Sequence, residues 1–126
     1  MPITIDDIPE SETDEFEFKS SSTRDSELKK KLSAAASGFS NSGGGYFVVG
    51  LDDDGVIDGG VSDMVGRQSR DDWIDTVVHK VEPAPKYEIT KITDVGTRGR
   101  LENDCHLLVV KFHDSENAPH MNDDYR

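Results

Sequence analysis

Ala36-Ser37-Gly38-Phe39-Ser40-Asn41-Ser42-Gly43-Gly44-Gly45-Tyr46-Phe47-Val48-Val49-Gly50-Leu51-Asp52-Asp53-Asp54-Gly55-Val56-Ile57-Asp58-Gly59 is the stretch whose reading decides the fold. It opens on the small apolar end of a helix. Asn41 to Gly45 then form a loop rich in residues free to take positive φ. Tyr46 to Leu51, dense in β-branched and aromatic residues, reads as a buried strand. Asp53-Asp54-Gly55 is a hairpin turn, and Val56-Ile57 starts the return strand.

Working upstream, Leu28, Leu32, Ala35 and Ala36 fall on one helical stripe. Asp25 or Ser26 caps that helix, Glu27 meets the positive end of its dipole, and Gly38 stops it, with Phe39 still facing inward. Before it, Phe16 and Phe18 alternate with Glu15, Glu17 and Lys19, the period of a half-buried strand that Ser20 to Ser22 break. Residues 1–11 read as an extended or partly ordered leader. Downstream, Trp73, Ile74, Val77, Val78 and Val81 line a second helix from about Ser69 to Val81, capped by Ser69 or Asp71 and ended by Pro83 and Pro85. Strands follow around Tyr87 to Ile92 and His106 to Phe112, joined by a linker carrying Gly96, Gly99, Arg98 and Arg100. The sum is a single α+β domain: a mixed or antiparallel sheet with two main helices on one side.

The chain has 126 residues, one domain's length, and 14 basic against 26 acidic residues set its charge at −12. That balance argues against a generally cationic nucleic-acid binder, but not against a local basic patch. Dispersal of the acids from Asp6 to Asp124 fits a surface kept soluble by self-repulsion, as in proteins of concentrated salt, or simply a soluble acidic domain. No apolar run approaches the ~20 residues that span a bilayer, and nothing resembles a signal peptide, so no membrane partner and a cytoplasmic location are expected. Cys105 has no partner for an internal disulfide and reads as a buried, inert thiol.

Three constellations could carry chemistry. Glu12, Glu17 and the run Asp52 to Asp54 could converge as an oxygen site for magnesium or manganese; solvated strand residues and turn formers are the bland alternative. The glycine loop lacks the Lys-Ser or Lys-Thr ending of a P-loop and follows a helix instead of opening one, which disfavours nucleotide triphosphatases; close backbone approach is its better reading. Lys19, Lys29, Lys30, Lys31, Arg98 and Arg100 would make a groove for a nucleic-acid backbone if the first helix and the arginine loop share a face. Otherwise they are solvated surface charges.

Taken in order, Glu12-x4-Glu17-Phe18-Lys19, the helix ending at Ala36, the glycine loop, the strand and the Asp-Asp-Gly turn resemble the Schlafen AlbA-type domain. That family was once catalogued as a divergent AAA ATPase type; no residue here supports the ATPase label. The later pieces are also similar: Trp73, Glu82-Pro83-Ala84-Pro85, and Leu107 to Lys111. The resemblance covers most of residues 10 to 126, with the domain read as 12–126, and the stop at Tyr125-Arg126 looks like a domain cut from a longer protein or a short stand-alone form.

The resemblance implies a DNA-binding module of transcriptional-regulator-like proteins. From the animal branch it implies a metal-dependent endoribonuclease site at Glu12, Glu17 and Asp52, with Asp53 the alternative register and magnesium or manganese as cofactor. Lys19 would hold a phosphate. A third reading is a dimerisation module, with a homodimer formed through an edge strand near Leu107 to Phe112.

Overall fold

β9 (Cys105–Phe112) is the axis of the molecule. Six of its eight residues are buried, which fits a near-continuous apolar run with neighbours on both sides. A computed structural model gives the architecture and describes residues 2–114. The remaining elements are β1 (Phe16–Lys19), α1 (Asp25–Ser40), β2 (Gly45–Val49), β3 (Ile57–Gly59), β4 (Val61–Ser62), β5 (Met64–Val65), β6 (Gln68–Ser69), α2 (Arg70–Val78), β7 (Tyr87–Ile92) and β8 (Gly99–Leu101). The fold is α+β, as its sequence predicts.

β1 runs parallel to β2, and β2 antiparallel to β9, with Phe47 opposite Val110. β7 pairs antiparallel with β9 over the same residues as β2, so it must lie on the other side of β9. β4 pairs with the start of β9, and two further two-strand ladders, β3–β8 and β5–β6, complete the pairing. Leu107 to Phe112 is therefore no edge, being paired with β2 on one side and β7 on the other, and the possible homodimer near it is not shown.

One sheet face packs against both helices. Leu28, Leu32, Ala36, Ile74 and Val78 meet Phe47, Leu108 and Val110 in one apolar cluster. The other face carries a second cluster, in which Ile8 of the leader joins Phe18, Val48, Leu107 and Val109. The leader is more ordered than expected, with a 3-10 turn at Ile5–Asp7 and Ile8 only 4% exposed.

Several boundaries move for identifiable reasons. Gly38 does not stop α1, which runs on to Ser40 because Phe39 and Ser40 are buried by continuing it. The chain turns instead at Gly43 and Gly44, whose φ angles are +96° and +92°. A side chain on Gly45 would collide with the Phe39 ring, which makes this loop a place of close helix–strand approach. The N-cap of α1 is Arg24, without a side-chain capping bond, so Asp25 and Glu27 serve the helix through its first-turn dipole. Ser69 caps α2 as expected, accepting from the Asp72 amide at 3.1 Å. That helix ends at Val78, and Lys80 and Val81 continue as tighter i→i−3 turns. After the Asp-Asp-Gly turn the chain runs back beside Gly50 to Asp52, just past β2, through a Leu51–Ile57 bridge and the Asp58 amide donating to the Gly50 carbonyl at 3.0 Å; β3 then pairs in parallel with β8 inside the supposed linker.

Candidate functional site

Lys29 and Lys30 on α1 and Lys80 just past α2 stand along one groove of about 740 Å³ between the two helices. Ser26, Ser33 and Ser37 add hydroxyls to it, and Ala34 and Val77 give it an apolar lining. Among the described residues these three ammonium groups have no carboxylate partner. Lys31 is different: it lies 3.9 Å from Glu27, an i,i+4 pair on the exposed helix surface. The groove thus keeps Lys29 and Lys30 of the expected lysine run and adds Lys80. Its signal in the sequence was Val77 followed three residues later by Lys80, which puts the lysine above the apolar stripe.

The two arginines do not join that face as a pair of free cations. Arg98 donates to the carbonyls of Ile8 (2.5 Å), Pro9 (2.8 Å) and Gly55 (3.0 Å), binding the leader to the Asp-Asp-Gly turn. Its planar fork is spent on backbone oxygens, so it is a structural clamp. Arg100 is exposed and paired with Glu102. Among the described residues the cations with a carboxylate partner are Lys19, Lys31, Arg70, Lys91 and Arg100.

Glu12, Glu17 and Lys19 do come together, along one groove of about 300 Å³ beside β1. Strand alternation explains it: Phe16 and Phe18 face the leader-side core, so Glu17 and Lys19 point the other way. Lys19 lies 3.4 Å from Glu17, and a Glu12 oxygen accepts from the Phe18 amide at 2.8 Å, fixing the start of the strand. Asp52 is not in this groove. One of its oxygens accepts from the Asp54 and Val56 amides at 2.9 and 3.0 Å, shaping the turn, while Asp53 and Asp54 are exposed.

Magnesium or manganese needs several oxygens converging on one point. Among the described residues no group of three carboxylate, imidazole or thiol side chains is arranged to hold a metal ion. The trio of Glu12, Glu17 and Asp52 is thus not assembled as a ligand set. Two of the three carboxylates share a groove, each already engaged.

Two polar clusters escaped the reading of the sequence. Asp58 on β3 accepts from the Ser20 hydroxyl (2.6 Å), the Ser21 amide (3.0 Å) and the Ser21 hydroxyl, and Ser21 in turn accepts from the Gly60 amide at 2.7 Å. Burial pushes this carboxyl up, but the serine donors outweigh it and hold it below the usual carboxylate range. Ser20 and Ser21 read only as strand breakers; nothing local announces a partner 37 residues away.

The second cluster surrounds two buried bases. Arg70, 4% exposed, donates to the Ser62 carbonyl at 3.0 Å, stacks 5.4 Å over Trp73 and lies 3.6 Å from Asp25. His106, also 4% exposed, sits 3.6 Å from Asp63, which pairs with Lys91 at 3.0 Å. Burial lowers the affinity of the imidazole for its proton, and Asp63 opposes that only in part. No helix among the described residues is long and apolar enough to cross a membrane.

No curated protein matches the chain significantly. The family model described as Schlafen, AlbA_2 matches residues 12–126, all but the leader. With the strand, glycine loop, Asp-Asp-Gly turn and paired helices in place, the chain belongs to the Schlafen AlbA_2 family.

Proposed function

We propose that this domain is a nucleic-acid-binding module, of the kind that serves regulatory proteins, and that it holds the phosphate backbone along the α1–α2 groove. The observation that carries this reading is the row of three unpaired lysines, Lys29, Lys30 and Lys80, in a chain of net charge −12. On an acidic body such a patch is a favoured landing place for a polyanion, so the field helps to orient the strand. Ammonium groups bind phosphate as point charges, and the Ser26, Ser33 and Ser37 hydroxyls can donate to the remaining oxygens. Contacts of this type position a backbone and carry no base preference.

Binding of labelled duplex DNA, single-stranded DNA and structured RNA across a salt series tests the proposal. Three phosphate contacts give a log–log salt slope of about −2 to −3. Replacing Lys29, Lys30 and Lys80 together by Ala should flatten that slope and abolish most binding at low salt. Unchanged affinity in that variant would remove the groove from the function. Parallel samples with manganese and with chelator should both return intact strands. Metal-dependent cleavage lost in Glu17→Ala would instead make the domain an endoribonuclease.

A further inference from the structure

Among the described residues, the leader-side face of the sheet is not covered to its end. Three successive pairings, Phe16 with Tyr46, Tyr46 with Lys111 and Lys111 with Glu88, make one row across β1, β2, β9 and β7. The next row, Phe18–Val48–Val109–Thr90, lies largely in the second core, whereas the four residues of the open row are all partly or fully exposed. In that row the Phe16 and Tyr46 rings stack with centroids 4.5 Å apart and planes 9° from parallel. The Lys111 ammonium stands 5.9 Å from the Tyr46 centroid. These side chains line a hollow of about 420 Å³ whose far wall is Pro2 and Ile3 of the leader. That volume is within the range of small-ligand sites.

Resting on the nucleic-acid reading above, we propose that this hollow receives one unpaired nucleotide of a single-stranded nucleic acid. The base packs against the Phe16–Tyr46 pair and its phosphate lies at Lys111. Exposed aromatic faces are sequence-tolerant platforms for bases, and a cation beside them serves the backbone. Among the described residues Lys111 has no carboxylate partner and the Tyr46 hydroxyl has no hydrogen-bond partner, so both can serve a ligand. Three carboxylates line the same hollow: Glu88, paired with His113 at 2.7 Å, Asp7, which accepts from the Thr4 amide at 2.9 Å, and the exposed Glu15. They repel any phosphate beyond the one at Lys111, and Glu15 can accept from the amino groups of a base, which limits the site to a single nucleotide and favours bases that donate. A duplex, with its bases stacked inside, cannot enter.

The test compares affinities of the full chain for five labelled probes: intact single-stranded RNA, intact single-stranded DNA, each of these strands carrying abasic sites, and a duplex. Abasic strands keep every phosphate and lose only the stacking. Intact single strands of either sugar should bind about tenfold or more tighter than their abasic counterparts. Tyr46→Leu, with its apolar volume retained, should shrink that ratio toward one, while Lys111→Ala should weaken intact and abasic strands together by removing the phosphate contact they share. Equal affinity of intact and abasic strands overturns the inference, with no protein variant involved. So does a preference that survives Tyr46→Leu. If abasic and intact strands bind alike through the lysine groove, this inference falls and the module remains; if no strand or duplex binds at all, both fall.

Discussion

The two faces of the central sheet are closed by different means. On one, two amphipathic helices lay regular apolar stripes over Phe47, Leu108 and Val110, which are buried. On the other, a leader of irregular backbone is tied down by Arg98 and, among the described residues, only part of the face is covered, the row from Phe16 to Glu88 staying partly or fully exposed. Helix cover gains its stability from periodic burial, and few single groups decide it. Leader cover depends on a few polar clamps, and beyond them the described residues leave part of the sheet face exposed.

The comparison breaks most visibly in the helix-side core. Leu32→Ala removes a side chain 1% exposed and should cost about 3–5 kcal/mol in denaturant unfolding. A smaller cost would mean that the helices cover the sheet loosely. On the leader side, Arg98→Ala strands the carbonyls of Ile8, Pro9 and Gly55 and should cost about 2–3 kcal/mol. It should also free the leader, read as faster amide exchange at Ile8 with exchange in α1 unchanged. Equal acceleration on both faces would show that the two covers are one cooperative unit.

Asp58→Ala removes the second clamp and should cost about 1–2 kcal/mol. Its carboxyl is held below the ordinary 3.8, so its contribution is complete above that pH and is lost as pH falls through the lower folded value. The variant should therefore show a flatter acid limb in a stability–pH profile.

The smallest effect belongs to His106, whose proton affinity is lowered from 6.5 by burial, with Asp63, Lys91, Arg70 and Asp71 around it. Below pH 6.5 the unfolded chain takes up that proton more readily than the folded one, so stability falls as pH drops from there toward the folded value. His106→Leu should remove this slope while leaving the Asp58 limb in place.

The helix-covered face was the more legible one in the sequence. Stripes such as Leu28, Leu32, Ala35 and Trp73, Ile74, Val77 report their own burial, because periodicity is a local signal. Strand alternation at Phe16 and Phe18 likewise separated Glu17 and Lys19 from the core. What escaped depends on contacts distant in sequence. Arg98 looked like a free cation because its carbonyl partners lie about 90 residues upstream. β8 looked like linker because its three residues gain strand geometry only from β3. Asp52 was grouped with Glu12 and Glu17 by proximity along a resemblance, whereas its oxygen is taken by amides two and four residues ahead. Of the expected nucleic-acid contacts, Lys29 and Lys30 are brought into a shared groove, where Lys80 joins them from its place three residues after Val77.

The most direct test of the account is a map of nucleic-acid contact on the folded domain, from amide chemical-shift changes as a single strand is titrated in. The account predicts changes concentrated at Lys29, Lys30, Ser33, Ser37 and Lys80 and, with an unpaired base, at Phe16, Tyr46 and Lys111. Changes centred on Arg98, Arg100 and the leader carbonyls, with the helix groove silent, would contradict it.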